Sequence, residues 1–119
     1  MKKLLSTAVF VLAATLISAA STPLWLRDVK ISPDGEKILF CYKGDIFVVA
    51  SEGGAAQRLT SLPSYEQTPF WSPDGSTIAF ASDRNGSHDV YTMPCEGGAA
   101  TRLTCNSATE LPIGFTPDG

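Results

Sequence analysis

Ser72-Pro73-Asp74-Gly75, followed by Ile78-Ala79-Phe80, decides the fold because it is a copy. Ser32-Pro33-Asp34-Gly35 with Ile38-Leu39-Phe40 precedes it, and Thr116-Pro117-Asp118-Gly119 follows. Asp45-Ile46-Phe47-Val48 recurs as Asp89-Val90-Tyr91-Thr92. Glu52-Gly53-Gly54-Ala55-Ala56 recurs as Glu96-Gly97-Gly98-Ala99-Ala100, and Arg58-Leu59-Thr60 as Arg102-Leu103-Thr104. The spacing between copies is 40 residues from Asp34 to Asp74 and 44 from Asp45 to Asp89. One four-residue insertion accounts for the change: Lys43-Gly44 in the first copy becomes 83–88 in the second. A length change confined to one place, with the register kept on both sides, marks a surface loop.

Each copy reads as four short strands. The first is Asp28 to Ser32, matched by Pro69 to Ser72. The tetrad then turns the chain: Pro presets φ, Asp bonds nearby backbone and Gly accepts positive φ. The second strand is Lys37 to Tyr42, matched by Thr77 to Ser82, and the third is Ile46 to Ala50, matched by Asp89 to Met93. A Gly-Gly turn leads to a short fourth strand ending in Arg-Leu-Thr. Four antiparallel strands per 40 to 44 residues define a propeller blade. The expected fold is therefore all-β: two four-stranded blades, about 24–60 and 68–104, and the start of a third at 112–119. Runs such as Ile46-Phe47-Val48-Val49 are apolar at consecutive positions because a blade packs against neighbours on both faces. A chain ending inside a turn, as at Gly119, is expected to be part of a longer propeller.

The N-terminus has the layout of a secretory signal. Lys2 and Lys3 precede an uncharged run from Leu4 to Ile17, and Ser18-Ala19-Ala20 offers small side chains for cleavage near Ala20. An uncleaved anchor is the alternative; the run is short for a bilayer span, so no stable membrane anchor is expected. Export to the periplasm or the extracellular space follows. Losing the two lysines takes the formal charge from −3 to −5. That acidity argues against nucleic acid, whose phosphates need a basic face. Cys41, Cys95 and Cys105 lack C-x-x-C spacing, so neither a redox nor a zinc site is expected. Cys41, within Leu39-Phe40-Cys41-Tyr42, reads as a small buried hydrophobe. No metal and no cofactor are expected.

The tetrads, Ala81-Ser82-Asp83-Arg84, the Glu-Gly-Gly turns and the Arg-Leu-Thr ends resemble the repeats shared by TolB-like proteins and tricorn-like serine peptidases. Pro23-Leu24-Trp25-Leu26-Arg27 and Leu111-Pro112-Ile113-Gly114-Phe115 look like the start of secreted bacterial tricorn-like peptidases. TolB-like proteins are expected to carry an α/β domain before the propeller, and only a short stretch is present here. The resemblance implies a non-catalytic propeller that admits or positions peptides or unfolded protein for a downstream peptidase with a PDZ module. It also leaves an oligomer of the full-length protein open. The alternatives are a TolB-like periplasmic propeller binding a protein or envelope partner, and a propeller fused to another hydrolase or to a polysaccharide-active enzyme. The family's catalytic Ser and His have no counterpart, so no catalytic residue is assigned.

The only histidine, His88, stands beside Ser87 and Asp89, but sequence neighbours rarely meet in triad geometry and there is no Gly-x-Ser-x-Gly elbow. Asp34, Asp74 and Asp118 recur because each blade needs the same turn. In an antiparallel meander the tetrad and Gly-Gly turns share one rim. The varied segments 61–68, 83–88 and 106–112 share the other. Loops on a rigid scaffold are where binding concentrates. The candidate contact residues are therefore Tyr65, Glu66, Arg84, Asn85 and His88, with an ordinary solvated surface as the competing reading for each.

Overall fold

Alternating cross-strand pairs build the chain from β1 onward in a computed structural model that describes residues 26–119. The expected signal at 1–20 and the opening at Pro23-Leu24-Trp25 lie outside the described residues. Blade one consists of β1 (Leu26–Ile31), β2 (Lys37–Tyr42), β3 (Asp45–Ala50) and β4 (Gln57–Arg58). Blade two repeats them as β5 (Glu66–Trp71), β6 (Thr77–Ser82), β7 (Asp89–Pro94) and β8 (Thr101–Arg102). Each is a four-stranded antiparallel sheet in sequential order, and no helix occurs among the described residues. These are two blades of a β-propeller. Strand β5 packs against β1, β2 and β3, so the blades converge at the first strand of blade two, while β4 reaches blade two through the Gln57 side chain, which donates to Glu96 O at 3.1 Å.

The sequence repeats become hydrogen-bond repeats. Gly35 N–H donates to Ser32 O and Gly75 N–H to Ser72 O, each at 2.9 Å. Lys37 N–H donates to the Ser32 hydroxyl at 2.9 Å, and Thr77 N–H to the Ser72 hydroxyl at 3.0 Å. Gly119 N–H donates to Thr116 O at 2.9 Å, so the third tetrad forms the same turn. The Arg-Leu-Thr ends also have a purpose. Arg58 pairs with Asp45 and donates from Nε to Thr60 O, while the Thr60 hydroxyl accepts from Ile46 N–H. Arg102, Asp89, Thr104 and Val90 repeat this arrangement. A two-residue outer strand has few ladder bonds of its own. This clamp ties it to the third strand through side chains.

The tetrad carboxylates are electrostatically tuned by these turns. Asp74 Oδ1 accepts from the Ser72 hydroxyl, from Ser76 N–H and from the Ser76 hydroxyl. Led by the Ser72 hydroxyl, these bonds stabilise the charged form and pull its pKa down to about 2. Asp34 and Asp118 are lowered as well, chiefly by the Ser32 and Thr116 side chains. Because the folded pKa of Asp74 lies below the ordinary 3.8, its contribution to stability is complete above about pH 4. It fades as pH falls towards 2. Carboxyl carbon chemical shifts recorded against pH should place the Asp74 midpoint near 2, and Ser72→Ala should move it upwards. A midpoint at the ordinary value in the parent chain would contradict the turn geometry.

The core lies between the blades. On blade one, Leu39, Cys41, Ile46 and Val48 share a face, since Leu39 pairs with Val48 and Cys41 with Ile46. On blade two, Ile78, Phe80, Tyr91 and Met93 share a face through the pairs Ile78–Met93 and Phe80–Tyr91. The two faces pack together in one buried cluster, with Leu59 and Trp71 against it. Trp71 also donates its indole N–H to Lys30 O at 3.1 Å, while Phe70 is half-buried beneath the Lys30 ammonium. Cys41 and Cys95 are buried free thiols, and Cys105 is an exposed one. Burial, with the charges of Asp28 and Glu66, pushes the Cys41 thiol up to about 12, so it stays protonated at neutral pH.

The first strands begin earlier than the sequence suggests, at Leu26 and Glu66 instead of Asp28 and Pro69. Both carry an irregularity, between Arg27 and Lys30 and between Gln67 and Phe70, where Asp28 and Thr68 have φ of 53° and 50°. A bulge adds a residue and breaks the alternation by which a strand is recognised. The polar residues before it therefore read as loop.

Candidate functional site

The loop rim is organised by a two-residue hairpin in blade one and a longer loop in blade two. Lys43 and Gly44, with φ of 50° and 81°, make the tight hairpin between β2 and β3. Two positive φ angles suit the twist of the flanking strands. Tyr65 lies directly over Gly44: a Cβ there would sit 2.9 Å from the ring. Gly44→Ala therefore combines a left-handed conformation with a steric clash. The expected loss is about 1–3 kcal/mol, read from urea denaturation together with a shifted Tyr65 environment in NMR spectra. An unchanged midpoint would show that the ring does not rest on the turn.

Tyr65 and Asp83 are joined by two hydrogen bonds, one to the Asp83 carboxylate and one between their backbones. Tyr65 N–H donates to Asp83 Oδ1 at 2.7 Å, and Asp83 N–H to Tyr65 O at 3.4 Å. The Tyr65 side chain remains exposed. Next to it, the expectation for Glu66 needs correction. It is the first residue of β5 and is 0% exposed, not a solvated loop contact. Its Oε1 accepts from Ser64 Oγ at 2.5 Å and Ser82 Oγ at 2.8 Å, and lies 3.4 Å from Arg84 Nη2. Its N–H donates to Gly44 O across the blade junction at 2.8 Å.

Arg84 is held from several directions. Its Nε donates to the Ser82 hydroxyl at 2.9 Å, and its guanidinium sits 4.5 Å from the Tyr91 ring centre and 5.5 Å from that of Phe80. Asn85 donates from Nδ2 to the Tyr91 hydroxyl. Tyr65, Glu66, Arg84 and Asn85 thus form one connected group. His88 stands apart: its carbonyl accepts from Glu110 N–H at 2.7 Å, and its Nε2 is buried without a partner. Ser64, Ser82, Phe80 and Tyr91 complete the group and were not singled out from sequence. One signal for Glu66 was available, since Glu66 and Glu110 stand 44 residues apart, the same spacing as Gly44 and His88. Their junction bonds, Glu66 to Gly44 and Glu110 to His88, are equivalent.

Three cavities bear on binding. One of about 260 Å³, lined by Arg27, Cys41, Lys43, Gly44 and Tyr65, opens on the loop rim. Another of about 220 Å³ places Arg84 beside Leu59, Leu62 and Met93. A larger one of about 600 Å³ lies on the opposite rim, beside Glu36, Glu52 and Glu96. No group of three or more His, Cys, Asp or Glu residues that could hold a metal occurs among the described residues. The loop rim can offer hydrogen-bonding and aromatic surface on a rigid support. Among the described residues of this rim, the Ser87 hydroxyl donates to Asn106 O at 3.2 Å and Asp89 pairs with Arg102, so neither is hydrogen-bonded to His88 Nε2.

Comparison with known proteins places this geometry. Residues 23–119 match the family model described as the Tricorn protease N-terminal beta propeller domain. Over 56 residues the chain is 39% identical to an uncharacterized peptidase, YuxL, of Bacillus subtilis (strain 168), covering 43% of this chain and 8% of the relative. A solved structure assigned as a TolB of Agrobacterium tumefaciens superposes with a TM-score of 0.70 at 31% identity, over 83% of this chain and 38% of that one. TolB from Acinetobacter baumannii gives 0.63 at 26% identity, over 78% and 24%. The chain therefore spans well under half the length of each of these relatives.

Proposed function

The chain belongs to the Tricorn protease N-terminal beta propeller domain family, and on that premise we propose that it is the accessory propeller of an exported serine peptidase. In this reading it admits or positions peptides and unfolded segments, and the chemistry belongs to another part of a longer polypeptide. The family match across residues 23–119 carries the proposal. The likeness to a peptidase supports it, as does a loop rim where Tyr65 is exposed on a rigid underlay of Glu66, Ser82 and Arg84. The charged, apolar and small-residue order at 2–20 supports export.

The test compares the full-length gene product with its Tyr65→Ala variant on long unstructured peptides and on a short chromogenic peptide. The expected result is a several-fold rise in KM for the long peptides, with kcat and short-peptide turnover unchanged. Equal kinetics on both substrates would remove the positioning role. Absence of any peptide hydrolysis by the full-length product would remove the peptidase reading. It would favour the second one, a periplasmic propeller that binds a protein or envelope partner, which the likeness to solved TolB structures supports.

A further inference from the structure

The insertion that distinguishes blade two from blade one carries a motif that peptide positioning leaves unused. Asn85-Gly86-Ser87 has the order of an N-glycosylation acceptor, asparagine, any residue but proline, then serine. The other asparagine, Asn106, is followed by Ser107 and Ala108 and has no such order. Asp83 stands two positions ahead of Asn85, where bacterial N-oligosaccharyltransferases select an acidic residue.

Three-residue motifs recur by chance, and placement separates a usable acceptor from a buried one. The triplet lies between β6 and β7, beyond the last cross-strand pair, Ser82–Asp89. Blade one closes the same ladder at Tyr42–Asp45 with a hairpin four residues shorter, so bulk on the longer loop leaves the strands paired. Gly86 N–H donates to Asp83 O at 2.9 Å, closing a turn with Asn85 at its third position. Asn85 and Gly86 are exposed, and Ser87 is half-buried. Asn85 donates from Nδ2 to the Tyr91 hydroxyl. A primary amide has two N–H donors, so one hydrogen can be replaced while the other keeps this bond.

We propose that Asn85 is an N-glycosylation site, modified by an oligosaccharyltransferase that uses a lipid-pyrophosphate-linked oligosaccharide. This rests on the export reading, because N-glycosylation acceptors belong to the surface loops of secreted proteins. In the step, Asn85 Nδ2 attacks the anomeric carbon of the first sugar. The N–C bond forms as the bond from that carbon to the pyrophosphate oxygen breaks. The lipid pyrophosphate leaves with the electron pair, one Nδ2 proton passes to a base, and nothing is oxidised or reduced. The glycan projects from the rim that carries Tyr65, since Asp83 at the base of the loop is bonded to Tyr65.

Two experiments on the 119-residue chain test this. In one, the chain is expressed in a bacterium that carries an N-oligosaccharyltransferase and its lipid-linked donor. In the other, the purified enzyme and donor act on the folded chain in vitro, where export plays no part. A synthetic peptide of residues 81–91 serves as the positive control. Intact-mass spectrometry should show a species heavier by one oligosaccharide, and peptide mapping should place it on Asn85. Asn85→Gln and Ser87→Ala should abolish the heavier species, Ser87→Thr should keep it, and Asp83→Ala should reduce it several-fold. Modification in vitro but not in the cell supports the site and counts against export. A control peptide that is modified while the chain gains no mass in either experiment overturns the proposal. So does modification that persists in Ser87→Ala.

Discussion

Replacing Phe80 by alanine is expected to remove about 3–5 kcal/mol of stability, enough to leave the two blades largely unfolded. Native domains are stable by only about 5–15 kcal/mol, so a loss of this size is a large share of the whole. Phe80 is fully buried at the centre of the junction. It stacks on Tyr91 with ring centres 5.9 Å apart and supports the Arg84 guanidinium. Its removal leaves a cavity that the strands on both sides cannot close, since each is held by its own ladder. The repeat supplies the control. Phe40 stands at the same motif position but on the face of blade one turned away from blade two, where among the described residues it is half-buried. Phe40→Ala should cost about 1 kcal/mol, in proportion to the smaller apolar area it withdraws from water. Urea denaturation of both variants reads the difference. Equal losses would show that the blade junction is not the main source of stability.

Glu66→Ala is expected to cost about 3–5 kcal/mol, because it leaves the largely buried Arg84 guanidinium without its counter-charge. The Ser64 and Ser82 hydroxyls lose their common acceptor in the same step. Glu66→Gln should fall between wild type and alanine, since the amide oxygen can still accept from the two serines but carries no charge. Blade one indicates how the site could be rebuilt. There Leu26 stands where blade two has Glu66 and Tyr42 where it has Ser82, and Arg84, which lies in the insertion at 83–88, has no counterpart. Glu66→Leu combined with Arg84→Met should accordingly recover most of the stability, as apolar replacement of buried ion pairs often does. Thermal denaturation of the single and double variants decides it. A double variant no more stable than Glu66→Ala would show that the polar network itself is required.

Several features were legible in the residues alone, for a shared physical reason. The tetrads, the Gly-Gly turns and the insertion at 83–88 depend on local backbone chemistry, and local chemistry repeats visibly when a unit repeats. Strand number, strand order and the division into two rims all follow from such turns. The bounds of β2 and β6 coincide with the expected ones because their apolar runs are unbroken. The starts of β1 and β5 do not, because the bulges at Asp28 and Thr68 break the alternation that marks a strand.

Tertiary structure alone decided which of two apolar faces each blade buries. Ile38-Leu39-Phe40 and Ile78-Ala79-Phe80 look interchangeable as sequence, yet Phe80 is enclosed and Phe40 is not. The difference arises because Phe80 faces blade one across the junction and Phe40 points away from it, and no local pattern records that. The same holds for Glu66. A charged residue near a Pro-Ser segment reads as loop, and only packing of blade two on blade one takes it out of water. It is tolerated there because Ser64, Ser82 and Arg84, from separate parts of the repeat, converge on one carboxylate oxygen. Spacing along the chain carried the blade, and contact across the junction determined which side chains are enclosed.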